Sequence, residues 1–126
     1  MKILVADDEP QVLDIVAGIL DRAGHRVVTA IDGAEALRRV YETHPDLVLL
    51  DIRMPRKDGA TVAQQMRDDP RTREIPVVFL TGLIRTSEAD QRGGRTGRNL
   101  YLAKPFEAAQ LLRIVDLATR PEAGGG

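Results

Sequence analysis

The stretch Asp46-Leu47-Val48-Leu49-Leu50-Asp51-Ile52-Arg53-Met54-Pro55 decides how the rest of the chain is read. Four apolar residues run without a break and stop at a carboxylate. Bounded by Pro45 and Pro55, the run reads as a strand buried on both faces, as in a parallel sheet covered by helices. In such a sheet, functional groups collect just beyond the carboxyl ends of the strands. Asp51 falls there. Three other runs end in the same way: Ile3-Leu4-Val5-Ala6 in Asp7-Asp8-Glu9, Val77-Val78-Phe79-Leu80 in Thr81, and Leu100-Tyr101-Leu102-Ala103 in Lys104-Pro105. One end of one sheet would then gather several carboxylates, a hydroxyl and an ammonium.

Helical patterns separate these runs. Pro10 suits a first helical turn, where its missing N–H costs nothing. Val12, Leu13, Ile15, Val16, Ile19 and Leu20 follow at helical spacing, and Gly24 closes the helix. Residues 26–30 make a second strand. Asp32 with Glu35 is an N-capping pattern, after which Ala34, Leu37 and Val40 put one helical face on the core until Pro45. Asp58 and Gly59 mark the turn into a third helix carrying Val62, Ala63 and Met66, which ends at Asp69-Pro70. A fourth helix is expected over 87–92, with Ser87 as N-cap. It should be short or frayed, because Gly93, Gly94 and Gly97 each cost about 1 kcal/mol against alanine in a helix. The last helix follows Pro105 and uses Ala108, Leu111, Leu112, Val115 and Leu117 or Ala118. The pattern is β-α repeated five times, which predicts a parallel sheet with helices on both faces. One domain over 1–120 is expected, with 121–126 as a disordered tail or linker remnant.

Bulk properties narrow the function. The 126 residues carry 18 basic and 19 acidic side chains, a formal net charge of −1. That balance gives no electrostatic reason to expect nucleic acid or a membrane surface. The chain has no cysteine, which excludes disulfides, thiolate metal sites and cysteine nucleophiles. His25 and His44 fall near predicted element ends and read as turn residues. No apolar run approaches the ~18 residues that span a bilayer, and the amino-terminal run of four apolar residues ends in acids rather than in a cleavage site. A cytoplasmic setting is the default.

Asp7, Asp8 and Asp51 at neighbouring strand ends would repel one another. A hard divalent cation relieves that conflict, and an all-oxygen donor set suits Mg²⁺, or Mn²⁺ in its place. Taken singly, each residue has a plainer role: Asp7 and Asp8 as caps of the first helix, Lys104 in a salt bridge, Thr81 as an N-cap. Together they surround Asp51 with what a carboxylate needs to accept a phosphoryl group, which is mainly positioning and charge neutralisation.

The sequence resembles the receiver domains of bacterial two-component response regulators. The matching pieces are Val5-Ala6-Asp7-Asp8-Glu9-Pro10; Leu50-Asp51-Ile52-Arg53-Met54-Pro55 with Asp58-Gly59; Ile75-Pro76-Val77-Val78-Phe79-Leu80-Thr81-Gly82; and Tyr101-Leu102-Ala103-Lys104-Pro105-Phe106. Each alone is weak. Four in order at this spacing, over residues 2 to about 119, are highly specific. The resemblance implies a flavodoxin-like α/β fold with strand order 2-1-3-4-5. It implies that Asp51 is the phosphoacceptor, supplied by a histidine kinase or phosphotransfer protein. Asp8, Asp51 and the backbone carbonyl of Arg53 would hold Mg²⁺, with Asp7 acting directly or through water. Lys104 and Thr81 would contact the phosphoryl group, and Tyr101 would be the switch aromatic. The Lys104–Pro105 bond would be cis. The fourth helix, fifth strand and last helix would form the readout face, toward a downstream protein, an output domain or a phosphorylation-dependent homodimer. Direct nucleic-acid binding and membrane binding by this chain are not expected, nor is turnover of a separate substrate.

Two departures from the family pattern stand out. Gly93–Gly97 with Arg98-Asn99 replaces a fuller fourth helix, so the output face is expected to order on phosphorylation or partner binding. Arg53 and Leu83 occupy positions that tune phosphoryl lifetime in the family. There an arginine can pair with the phosphoryl group, or point to solvent, and a leucine can impede the attacking water. Two other readings compete. A pseudo-receiver, a protein-interaction module of this fold that is never phosphorylated, normally lacks the acceptor, the acidic pair or the lysine. A haloacid-dehalogenase type phosphatase needs an Asp-x-Asp nucleophile motif after strand one, which Asp7-Asp8-Glu9 lacks.

Overall fold

A computed structural model describes residues 1–82, 95–96 and 99–120. The elements are β1 (Lys2–Ala6), α1 (Pro10–Arg22), β2 (Arg26–Ala30), α2 (Gly33–Thr43), β3 (Leu47–Asp51), α3 (Gly59–Asp68), β4 (Val77–Thr81), β5 (Arg95–Thr96), β6 (Asn99–Ala103) and α4 (Ala108–Thr119). The helix expected over 87–92, Leu83 and the tail 121–126 lie outside the described residues.

The sheet order is β2-β1-β3-β4-β6-β5. Its five longer strands are parallel neighbours in the predicted order 2-1-3-4-5. The short β5 adds an antiparallel edge, with Arg95 opposite Leu100 and Thr96 opposite Asn99. No strand pattern in the glycine-rich sequence around it marks this pairing.

Alternation along the strands makes two cores. Ile3, Val5, Leu47, Leu49, Val78, Leu80, Leu100 and Leu102 face α1 and α4. Leu4, Ala6, Ala30, Val48, Leu50 and Phe79 face α2 and α3. Covered on both sides, β3 is buried at all five positions, which is why its sequence is apolar without alternation. Each fully buried Leu or Val there contributes about 1.5–3 kcal/mol.

The helix faces needed tertiary correction. In α1, Leu13, Val16 and Leu20 are buried, whereas Ile15 is 59% exposed. In α2, Ala36 and Val40 are buried and Ala34 is exposed. In α4, Leu111, Ile114, Val115 and Ala118 turn inward, while Ala108, Leu112 and Leu117 face outward. The inward α4 positions follow i, i+3, i+4, i+7 spacing, the stripe one helical face offers a sheet. The caps are local. Asp32 Oδ1 accepts from Glu35 N at 2.8 Å, and Asp58 Oδ1 from Thr61 N at 2.8 Å. His44 ends α2 in the left-handed region at φ 47°.

Candidate functional site

Parallel register delivers the polar residues to one end of the sheet. Ala6 pairs with Leu50, so Asp7 and Asp51 leave adjacent strands at the same level. Asp51 pairs with Leu80, and Thr81 with Ala103. Lys104 N donates to Thr81 O at 2.9 Å, which carries the β6 ladder one residue further and aims the lysine across the strand ends. The Lys104–Pro105 peptide is cis.

Lys104 Nζ lies 2.6 Å from Asp7 Oδ2, 3.2 Å from Asp51 Oδ2 and 3.8 Å from Glu9 Oε1. Asp7 is fully buried and Asp51 nearly so. Asp7 Oδ1 also accepts from Glu9 N at 2.9 Å. Its carboxylate thus braces the entry to α1, whose N-cap is Glu9 rather than either aspartate. Asp51 Oδ1 accepts from Arg53 N at 3.2 Å.

Burial, then the charge of Asp7, pushes the Asp51 carboxyl above its ordinary value, against the pull of Lys104. Burial also opposes the charge on Lys104, but the hydrogen bond and charge of Asp7, and then Asp51, outweigh it and raise the ammonium. One ammonium serves two carboxylates and stands closer to Asp7, leaving Asp51 short of positive charge.

Oxygens of Asp7, Asp8, Glu9 and Asp51 lie within 4.8 Å of one another. Four clustered carboxylates, three of them sharing Lys104, fit a divalent cation such as Mg²⁺, which keeps part of its water shell beside a few carboxylates. Asp8 and Glu9 are exposed and open the cluster to solvent. Glu9 was missed as a member of this set. Its only signal in the sequence was adjacency to the acidic pair.

The remaining candidates take different places. Thr81 is buried at the end of β4, one strand from Asp51. Tyr101 is half-buried in the core facing α2 and α3, stacked on Phe79 with ring centroids 5.4 Å apart. The Arg53 side chain is exposed, and it is the Arg53 backbone N–H that reaches Asp51. A shallow hollow beside the acids is lined by Asp8, Ile52, Arg53, Met54, Pro55 and Asp58. At Gly59 a Cβ would lie 2.4 Å from the Asp51 carbonyl oxygen, so the start of α3 can approach the end of β3 only as glycine.

A family model for the response regulator receiver domain matches residues 3–116. The chain belongs to the response regulator receiver domain family. The DNA-binding dual master transcriptional regulator RpaA of Synechocystis is 40% identical over 114 residues, 90% of this chain and 47% of RpaA. This receiver therefore spans about half the length of that relative. Among solved structures, the receiver domain of NtrX from Brucella abortus is 34% identical, with a TM-score of 0.79, 95% of this chain covered and 99% of the other. The receiver domain of sensor histidine kinase PA1611 from Pseudomonas aeruginosa is 28% identical with a TM-score of 0.81, over 95% and 98% of the two chains, and has a magnesium ion coordinated in its active-site cleft. In this receiver no helix among the described residues is long and apolar enough to cross a membrane.

Proposed function

We propose that this receiver is a phosphoacceptor switch in which Asp51 takes a phosphoryl group from the phosphohistidine of a histidine kinase or phosphotransfer protein. The nitrogen–phosphorus bond of the donor breaks, its electron pair stays on the imidazole, and a bond forms from phosphorus to an Asp51 carboxylate oxygen. The observation that carries this reading is the position of Lys104 Nζ, 3.2 Å from Asp51 and 2.6 Å from Asp7, beside an open carboxylate cluster. Charge neutralisation and alignment are the main demands of phosphoryl transfer. When bound, Mg²⁺ supplies charge neutralisation to the transferring oxygens. Asp8, Asp51 and the Arg53 carbonyl would hold it, with Asp7 directly or through water.

Each polar neighbour has a separate role. Arg53 N–H orients the Asp51 carboxylate. Lys104 moves from pairing Asp51 to pairing the new phosphoryl group. Thr81 donates its hydroxyl to that group, and Tyr101 reports the shift toward the output face of β6 and α4. This is a change of population between two conformers driven by the added charge. The receiver turns over no independent substrate, works in the cytoplasm, and passes its state to a partner protein or an attached output domain. The exposed Arg53 side chain shields the phosphoryl group, so Arg53→Ala shortens its lifetime; an equal or longer lifetime removes that role.

Intact mass after incubation with acetyl phosphate tests the acceptor. One added phosphoryl group that requires both Mg²⁺ and Asp51, and is lost in Asp51→Ala or with chelator, supports the reading. No adduct from acetyl phosphate or from a purified histidine kinase would leave a binding-only module of the same fold.

A further inference from the structure

The loop that follows Asp51 does not rest on its own strand alone. It leans on the start of α2, an element that contributes nothing to the acid cluster. A Cβ on Gly33 would lie 1.7 Å from the Lys57 carbonyl oxygen and 2.5 Å from its carbonyl carbon. The two backbones are therefore in direct contact, and any side chain at 33 must displace the loop. One residue earlier, Asp32 does two jobs. Its Oδ1 caps α2 through Glu35 N, and its Oδ2 pairs with Arg56 Nη1 at 3.4 Å. Arg56 adopts φ 69°, a left-handed conformation that is unfavourable for a non-glycine residue. Lys57 N donates to Pro55 O at 2.8 Å, which tightens the bend at that point. At the far end Gly59 N donates to Ile52 O at 2.9 Å and closes the loop into a ring. Arg53, inside that ring, donates its N–H to Asp51.

We propose that the start of α2 is the template for the β3–α3 loop, with Gly33 (through its contact on Lys57) and Asp32 (through its pair with Arg56) acting as positioning residues for the Asp51 site. The inference rests on the phosphoacceptor reading for its purpose, though not for its structural content. The ring is closed at Gly59 and bent at Pro55, so a push at Lys57 is passed along the loop toward Arg53. Groups one layer behind a site typically change metal affinity by about ten- to a hundredfold when altered.

The test titrates Mg²⁺ alone by calorimetry, and separately follows acetyl phosphate labelling by intact mass at saturating Mg²⁺. Circular dichroism melting runs alongside. Gly33→Ala is expected to weaken Mg²⁺ binding about tenfold and to slow labelling. Gly18→Ala is the control, since a Cβ there meets only the flexible end of Arg22 at 3.5 Å. It should leave both readouts as in the wild type. Arg56→Gly frees the left-handed residue while cutting the exposed tether. It is expected to hold or raise the melting temperature while weakening Mg²⁺ binding about threefold, and Arg56→Lys should restore the affinity. A purely structural role would lower melting temperatures and leave the Mg²⁺ affinity of the folded protein unchanged. Wild-type Mg²⁺ affinity in Gly33→Ala overturns the proposal. If Gly33→Ala gives no cooperative melt, the Arg56 pair of variants decides in the same way. Failure of the wild type to take a phosphoryl group defeats the phosphoacceptor reading, while the calorimetric comparison still decides this one. A wild type that binds no Mg²⁺ overturns both.

Discussion

Lys104 Nζ lies 2.6 Å from Asp7 Oδ2, a contact made across 97 residues of sequence. Asp7 is fully buried, and the same ammonium is its cation and that of Asp51. Removing one partner of a buried pair leaves the other charge uncompensated. In chelator, Lys104→Met should therefore lose about 3 kcal/mol of stability. Mg²⁺ should recover part of that loss and stabilise the variant more than it does the wild type, because the competing cation is gone. Urea unfolding with and without Mg²⁺ measures both effects. A smaller Mg²⁺ gain in the variant would contradict this account of the lysine.

Asp8 carries the opposite sign. It is exposed and adds repulsion to the acid cluster without being needed by Lys104. Asp8→Ala should slightly stabilise the metal-free protein. A ligand bound only by the folded state adds about 2.7 kcal/mol at a hundredfold excess over its dissociation constant. The wild type should gain on that scale with Mg²⁺, and Asp8→Ala should lose most of it. A full Mg²⁺ shift in Asp8→Ala, measured by thermal melting, would remove Asp8 from the ligand set.

Gly59 sets the start of α3 directly against the end of β3. Helix propensity alone favours Gly59→Ala by up to about 1 kcal/mol. The added Cβ, however, meets the backbone oxygen of Asp51 at 2.4 Å, which no side-chain rotation relieves. We expect a net loss of about 1–3 kcal/mol, the usual range for overpacking. Chemical denaturation giving a neutral or stabilising change would mean that β3 and α3 can part without cost.

Asp69 predicts a pH dependence remote from the site. It accepts from Tyr41 Oη at 2.7 Å and Arg71 Nη2 at 2.8 Å on one oxygen, and from Arg71 N at 2.9 Å on the other. The Arg71 hydrogen bonds, with that of Tyr41 behind them, hold its carboxyl well below the usual range. A carboxylate with a depressed folded pKa stabilises the protein above its unfolded value of about 3.9, and that contribution fades as pH falls through the folded value. The stability gap between wild type and Asp69→Asn should thus be constant from neutral pH down to about 5, then close at lower pH. A gap that closes already between neutral pH and about 5 would point to another titrating group.

Two residues of α1 show how far periodicity can be trusted. Leu20 and Ile15 share the same helical repeat, yet Leu20 is fully buried and Ile15 is 59% exposed. Leu20→Ala should cost about 2–5 kcal/mol, whereas Ile15→Ala should stay within about 0.5 kcal/mol. Equal costs would put the helix in a different rotation.

The five parallel strands, their ends and the polar groups that collect there were all legible in the sequence, whereas the short antiparallel β5 was not. Apolar runs that stop at Asp7, Asp51, Thr81 and Lys104 are local patterns, and a parallel sheet needs only their order to bring those ends to one edge. Tertiary structure alone decided which face each helix turns inward, because Ile15 and Leu112 fit the helical repeat as well as their buried neighbours do. It also decided that Lys104 divides its charge between Asp7 and Asp51, and that Gly33 lies against Lys57. Such contacts join residues distant in the chain, and their distances depend on how the sheet and its helices pack. No local spacing encodes that packing.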